Sequence, residues 1–387
     1  MFTKEDLKEF QSESLEQKFQ RTLAKVSEWY SRFDGEVYVS FSGGKDSTVL
    51  ADICARWVRM LRGTKSYKPL YLLFINTGLE YPEIQQHVKN YAEWLRNKYE
   101  IEVELEILRP EMRFDEVVAT YGYPIIGKNQ ANTIALARKN IEDKKYSLRL
   151  RSLGISPQEA EEMGLELPDR ELLERYEKAT NGSKFEKPKY RALLDVDFLI
   201  SDRCCDVMKK DPARQYKRRT GRKPIVATMA QESMVRESAW LKNGCNAFDA
   251  KEPKSTPMAF WLEQDVLQYI KEKGLPLASV YGTVEYEEDP EQIRIEEMGV
   301  TGCGTDRLCT TGCSRTGCIF CAFGAHLEKG EGRFERLKRT HPRQYQYCIG
   351  GGEYDENGIW KPNKQGLGMG HVFDELNKIY GEGFIKY

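Results

Sequence analysis

The chain has 387 residues, enough to bury a sizeable core and to form two or three structural units. Lys and Arg number 59 against 60 Asp and Glu, so there is no overall basic excess, and any nucleic-acid contact must rest on a local patch. The charged start Met1-Phe-Thr-Lys-Glu-Asp-Leu-Lys8 lacks the apolar segment of a signal peptide and no apolar run reaches membrane-spanning length; the ten cysteines are therefore expected in a reducing cytoplasm, where clustered thiols bind metal or do chemistry.

In chain order, residues 4–30 predict one or two amphipathic helices with Leu15, Phe19, Leu23, Val26 and Trp29 as the packing stripe. Val37–Phe41 is apolar, β-branched and aromatic, the pattern of a buried strand, and Ser47 to about Leu61 has helical periodicity. Ser42, Gly43, Gly44, Lys45, Asp46 and Ser47 lie between them. Two glycines let the backbone turn tightly against an anion, while helix-start amides and the Lys45 ammonium supply donors and charge. Asp46 and Ser47 can cap the helix or help hold a phosphate-bound Mg²⁺. The spacing excludes a Walker A loop, which needs Ser or Thr directly after Gly-Lys, and a G-x-G-x-x-G dinucleotide fingerprint. Tyr71–Ile75 predicts a second buried strand ending in Asn76-Thr77-Gly78. Pro82 opens a helix to about Tyr99, and Ile101–Leu108 alternates as a half-exposed third strand. Strand, helix, strand, helix, strand implies right-handed crossovers, a parallel sheet, and a ligand beyond the carboxyl ends of the strands.

Residues 127–188 are polar and helix-prone, an inserted pair of solvated helices or a docking arm. Ser201–Lys210 predicts a helix start carrying the adjacent thiols Cys204 and Cys205. The 209–223 segment then sets eight cations in fifteen residues, either a solvated face or a patch for polyphosphate or nucleic acid. Pro224–Met229 predicts another core strand, followed by Glu232, Ser233 and Arg236. Arg236 suits a bidentate contact with sulfate or phosphate, or a helical-spacing pair with Glu232. Cys303, Cys309, Cys313, Cys318 and Cys321 place five thiols in nineteen residues, interleaved with glycines. Four soft thiolates suit zinc or an iron-sulfur cluster, and spacing does not separate these. Cys54, among apolar helix residues, reads as core.

Ser42-Gly-Gly-Lys-Asp-Ser47 after a strand resembles the PP-loop of the adenine nucleotide α-hydrolase superfamily. Together with Asn76-Thr-Gly-x-x-x-Pro-Glu83, Arg203-Cys-Cys205, Thr220-Gly-Arg-Lys-Pro224, Glu232-Ser-x-x-Arg236, Phe260–Ile270 and Gly317-Cys-Ile-Phe-Cys321, it resembles the phosphoadenosine phosphosulfate (PAPS) and adenosine phosphosulfate (APS) reductase family over residues 30–325. The resemblance implies a doubly wound, mainly parallel α/β fold with a helical insertion and a Cys-rich carboxyl-terminal region. It divides the chain as 1–30, 31–300 and 301–387. It implies ATP, APS or PAPS on Ser42–Ser47, with Asn76, Thr77, Gly78, Arg222, Glu232 and Arg236 around it and Mg²⁺ on the phosphates. The family's iron-sulfur branch holds a [4Fe-4S] cluster on residues that match Cys204, Cys205, Cys318 and Cys321, with Cys313 as rival to Cys204 and zinc as the alternative metal. The family's Glu-Cys-Gly-Ile-His nucleophile segment is absent. Three functions follow: ATP-dependent sulfur transfer to an acceptor, nucleic acid included, with Lys45, Asp46 and Arg236 in the chemistry and Cys348, Cys313 or Cys245 carrying sulfur from a donor; PAPS or APS reduction with a thiol-reductant protein; or non-catalytic nucleotide and metal binding.

Overall fold

Thr3 and Ser14 open the amino-terminal helices α1 (Lys4–Ser12) and α2 (Leu15–Arg32), each accepting an amide three residues on and receiving a side chain in return. The buried face of α2 is Lys18, Thr22, Val26 and Trp29 rather than an all-apolar stripe; Leu15, Phe19 and Leu23 are only half-buried. Polar groups occupy that face because each has a partner. Lys18 Nζ reaches Asp265 at 2.7 Å, and Thr22 accepts the Trp261 indole N–H at 2.8 Å while donating to the Pro257 carbonyl.

The computed structural model describes residues 2–136, 138, 139, 188–287 and 307–387. Most of the expected 127–188 insertion, and Cys303, lie outside them. Two compact units are present: 1–110 with 211–318, and 111–210 with 319–387. This division differs from boundaries at 30 and 300. The amino-terminal helices and residues 307–318 belong with the sheet, and the carboxyl-terminal residues join the segment after Pro110.

The first unit holds a six-stranded sheet. Strands β1 (Val37–Ser40), β2 (Leu70–Ile75) and β3 (Val103–Leu108) alternate with helices α3 (Lys45–Met60) and α4 (Pro82–Tyr99). The sheet order is β3, β2, β1, Lys223–Ile225, Lys254–Ser255, Asn246–Ala247; all pairs are parallel except the last. Val39 stands opposite Leu72 and Val37 opposite Lys223, so β1 is central, and its flanks Val37, Tyr38 and Val39 are buried as a parallel strand requires. The strand expected from Pro224 to Met229 pairs only through Ile225 and then turns away, which carries Glu232 and Arg236 past the sheet.

The second unit is built on the helices Phe114–Tyr121, Arg333–Thr340, Pro342–Ile349 and Met369–Tyr380, with Phe334, Leu337, Leu367, Val372, Phe373 and Leu376 fully buried. Its parallel pair Ile125–Ile126 with Ala322–Phe323 joins its two chain segments. Asp197 accepts from Tyr354 at 2.7 Å and meets His371 Nε2 at 3.0 Å, which pins the Glu353–Lys361 hairpin to the last helix. No helix among the described residues is long and apolar enough to cross a membrane.

Candidate functional site

Because β1 ends at Ser40 and α3 starts at Lys45, the chain must reverse within four residues. Gly43 does this at φ +72°, where a Cβ would also lie 2.8 Å from Val88 Cγ2 and 2.9 Å from Ile84 Cγ2 of α4. Only glycine meets both demands. Ser47 Oγ ties the loop shut, accepting the Ser42 amide and donating to the Gly44 carbonyl at 2.9 Å. The Gly44 amide reaches Ser42 Oγ and the Lys45 amide reaches the Tyr281 hydroxyl at 3.1 Å. The Asp46 and Ser47 amides follow in the first turn, where no preceding carbonyl of the helix can bond them.

Lys45 is 2% exposed, with Nζ 2.9 Å from the Ser314 carbonyl and 3.0 Å from Glu263. Asp46 Oδ1 is buried without a hydrogen-bond donor, 3.9 Å from that ammonium. Burial pushes the Asp46 carboxyl up, against the pull of Lys45, Arg315 and Arg236. Arg236 pairs with Glu232, the second of the two pairings its position allows, while its charge still acts on Asp46. Glu232 also takes the Met229 amide at 3.0 Å and Arg315 Nη2 at 3.2 Å. Burial, then the like charge of Arg315, lowers the Arg236 guanidinium. An orphaned carboxylate oxygen at a helix start flanked by cations fits a site for a phosphate-bound divalent cation.

The second loop lies at the carboxyl end of β2, beside β1. Gly78 donates its amide to Asn76 Oδ1 at 3.0 Å, and Glu80 takes both the amide and the hydroxyl of Thr77. Gly78 itself, at φ +75°, faces open space. Behind the Ser42–Ser47 loop, His87 sits 7% exposed with Nε2 3.4 Å from Thr48 Oγ1, and burial lowers its pKa from 6.5 to about 4. The unfolded chain takes up this proton near pH 6.5 and the folded chain only near 4, so stability falls as pH falls through that window. The expected loss is about 1.4 kcal/mol per pH unit, about 3 kcal/mol across the window. Urea midpoints at pH 7, 6 and 5 measure it, and His87→Gln should flatten the slope; an equal slope in that variant would remove His87 as its source.

Tyr281, Glu263, Ser314, Arg315 and Thr316 escaped the sequence reading, since they meet the loop only through tertiary contacts more than 200 residues away along the chain. Arg222 was misplaced. It sits at the amino end of β1, bonded to Glu36 and Tyr216 and 3.3 Å over the Tyr71 ring, at the opposite end of the strand from the loop. The basic segment around it is heavily neutralised: Lys210 by Asp206, Arg214 by Asp211, Lys217 by Glu252 and Arg219 by Glu106. Cys348 is buried in its own unit against Met369 Sδ at 3.5 Å, and desolvation pushes its thiol far up, so it cannot present a thiolate to a substrate. Cys245 is likewise buried and pushed up to about 11, under the Trp240 indole. Cys54 is core.

In the second unit, Cys204 and Cys205 precede a π turn, Asp206–Lys210, and the surroundings of Cys205 favour its thiolate. The Cys204 thiol donates to it, and Lys128 and Lys209 add positive charge, so its pKa falls to about 5. Cys321 accepts the Phe323 amide and feels both Cys205 and Lys128, although burial raises it. Beside it, Ile126 takes φ +64°, a strained choice for a β-branched residue. Cys318 ends the first unit, and Cys313 is buried there with its amide on the Val280 carbonyl. Among the described residues no three of His, Cys, Asp and Glu stand at a spacing that holds an ion. Cys204, Cys205 and Cys321 are donors of the right kind for a soft metal.

Residues 36–133 match the family model of the phosphoadenosine phosphosulfate reductase domain, the stretch holding both loops. The chain is also similar to the crystal structure of phosphoadenylyl-sulfate (PAPS) reductase from Candida auris in a phosphate complex. That likeness has 12% identity over 79% of this chain and 96% of the other, at a TM-score of 0.32, too low to compare site with site. Among curated proteins there is no match.

Proposed function

We propose that the Ser42–Ser47 loop binds the anionic end of an adenine nucleotide and that the chain is an ATP-dependent sulfur transferase. The observation that carries this is a buried Lys45 ammonium beside a buried, donorless Asp46 oxygen at one helix start, directly after the Gly43 bend. In this reading Asp46 would hold Mg²⁺, which would neutralise polyphosphate charge. An acceptor oxygen attacks the α-phosphorus and pyrophosphate leaves with the bonding pair. Sulfide-level sulfur then displaces AMP, the oxygen departing with it. Lys45, the loop amides and Arg236 position the polyphosphate and neutralise charge on the leaving group.

Cys204, Cys205 and Cys321 of the second unit are the thiolates proposed to hold a [4Fe-4S] cluster. The low Cys205 pKa and the amide donated to Cys321 support that set. Such a cluster, when bound, supplies an iron for sulfide or a reservoir of electrons. Anaerobic protein is expected to be brown and to contain iron and acid-labile sulfide, and Cys321→Ser to lose most of both. A colourless zinc protein would refute the iron assignment.

The match of residues 36–133 to the reductase domain favours a second reading, reduction of PAPS or APS to sulfite. Incubating the anaerobic protein with ATP, APS or PAPS separates the two. Pyrophosphate and AMP from ATP plus acceptor support transfer; sulfite from APS or PAPS plus a dithiol supports reduction. Neither product, with intact nucleotide binding, would sink both and leave a binding protein.

A further inference from the structure

We propose that Arg315 is an anion-binding residue of the phosphate loop, exchanging Glu232 for the outermost anionic group of the bound nucleotide. This rests on the reading of Ser42–Ser47 as a nucleotide site. The residues on either side of Arg315 both grip the loop: the Ser314 carbonyl accepts from Lys45 Nζ at 2.9 Å, and Thr316 Oγ1 bonds the Tyr281 hydroxyl at 2.6 Å, which itself receives the Lys45 amide. Its backbone is thereby fixed over the helix start while its side chain stays 60% exposed.

Arg315 and Arg236 share one carboxylate, and Glu232 can neutralise only one of them. Arg236 is joined to Glu232 within its own turn. Arg315 reaches the same carboxylate from across the fold by a single exposed contact at 3.2 Å, the kind of pair that costs little to open. Arg315 lies near enough to the helix start for its charge to act on Asp46. A planar fork of donors on a mobile side chain is suited to capping such a group.

The test is calorimetric titration of wild-type, Arg315→Gln and Arg315→Lys protein with ATP, APS and AMP. Arg315→Gln is expected to weaken ATP and APS at least tenfold and AMP less than twofold, with Arg315→Lys between; melting curves should nearly overlay, since the side chain is 60% exposed and loses one surface ion pair. Unchanged ATP affinity in Arg315→Gln, or equal weakening of ATP and AMP, would overturn the role of Arg315 while leaving the loop intact. Wild-type protein that binds neither ATP nor APS would overturn the loop reading and this inference together.

Discussion

Lys45→Met is expected to weaken ATP binding about a hundredfold or more while moving the melting temperature by only a few degrees. The stem of Lys45 is buried, and methionine fills nearly the same space. The residue stranded by the change, Glu263, has a side chain 43% exposed and turns to water. The lost ammonium, by contrast, contributes charge-assisted bonds to phosphate of about 1.5–3 kcal/mol each, and two of them amount to the stated hundredfold or more. Titration calorimetry alongside thermal melts measures both halves. Affinity within threefold of wild type would mean that the glycine bend does not hold phosphate.

Asp52→Ala is expected to remove about 3–5 kcal/mol of stability, the typical cost of breaking a buried ion pair from one side. Asp52 lies on α3, two turns beyond the loop, and is completely buried. It accepts from Tyr99 at 2.6 Å, Tyr269 at 2.8 Å and Arg56 at 2.8 Å, with Lys98 at 3.9 Å. These bonds join α3 to α4 and to the helix Glu263–Lys273, whose first residue reaches Lys45. Removing the carboxylate leaves the buried Tyr269 hydroxyl, the half-buried Tyr99 hydroxyl and a guanidinium without their acceptor. Asp52→Asn keeps the shape and should cost less than half as much. Chemical denaturation distinguishes them, and a loss under 1 kcal/mol for Asp52→Ala would mean the cluster is not structural.

The parallel sheet was legible because Val37–Phe41 and Tyr71–Ile75 carry their burial in continuous apolar runs, and Ile101–Leu108 in a partly alternating one. The glycine loop was legible for the same local reason: a positive φ and a tight bend need Gly43 whatever surrounds them. What could not be read is what meets the loop from afar. Nothing near Tyr281 or Glu263 in sequence announces a contact with residue 45. Arg222 shows the converse error, since its neighbouring cations suggested a phosphate, but strand direction places it at the amino end. Cys348 misled through chemistry alone, its thiol being packing material in a hydrophobic core. Asp52, amid Leu50, Ala51, Ile53 and Cys54 on an apolar helix, is itself a local signal, since an aspartate is not buried there without partners.

The resting contacts of Lys45 set a threshold on what can enter. Its ammonium already has a carboxylate and a carbonyl, so an arriving anion must outbid both rather than fill a vacuum. On the proposed reading of the loop, a molecule carrying several negative groups in a row meets that threshold more readily than a small single anion.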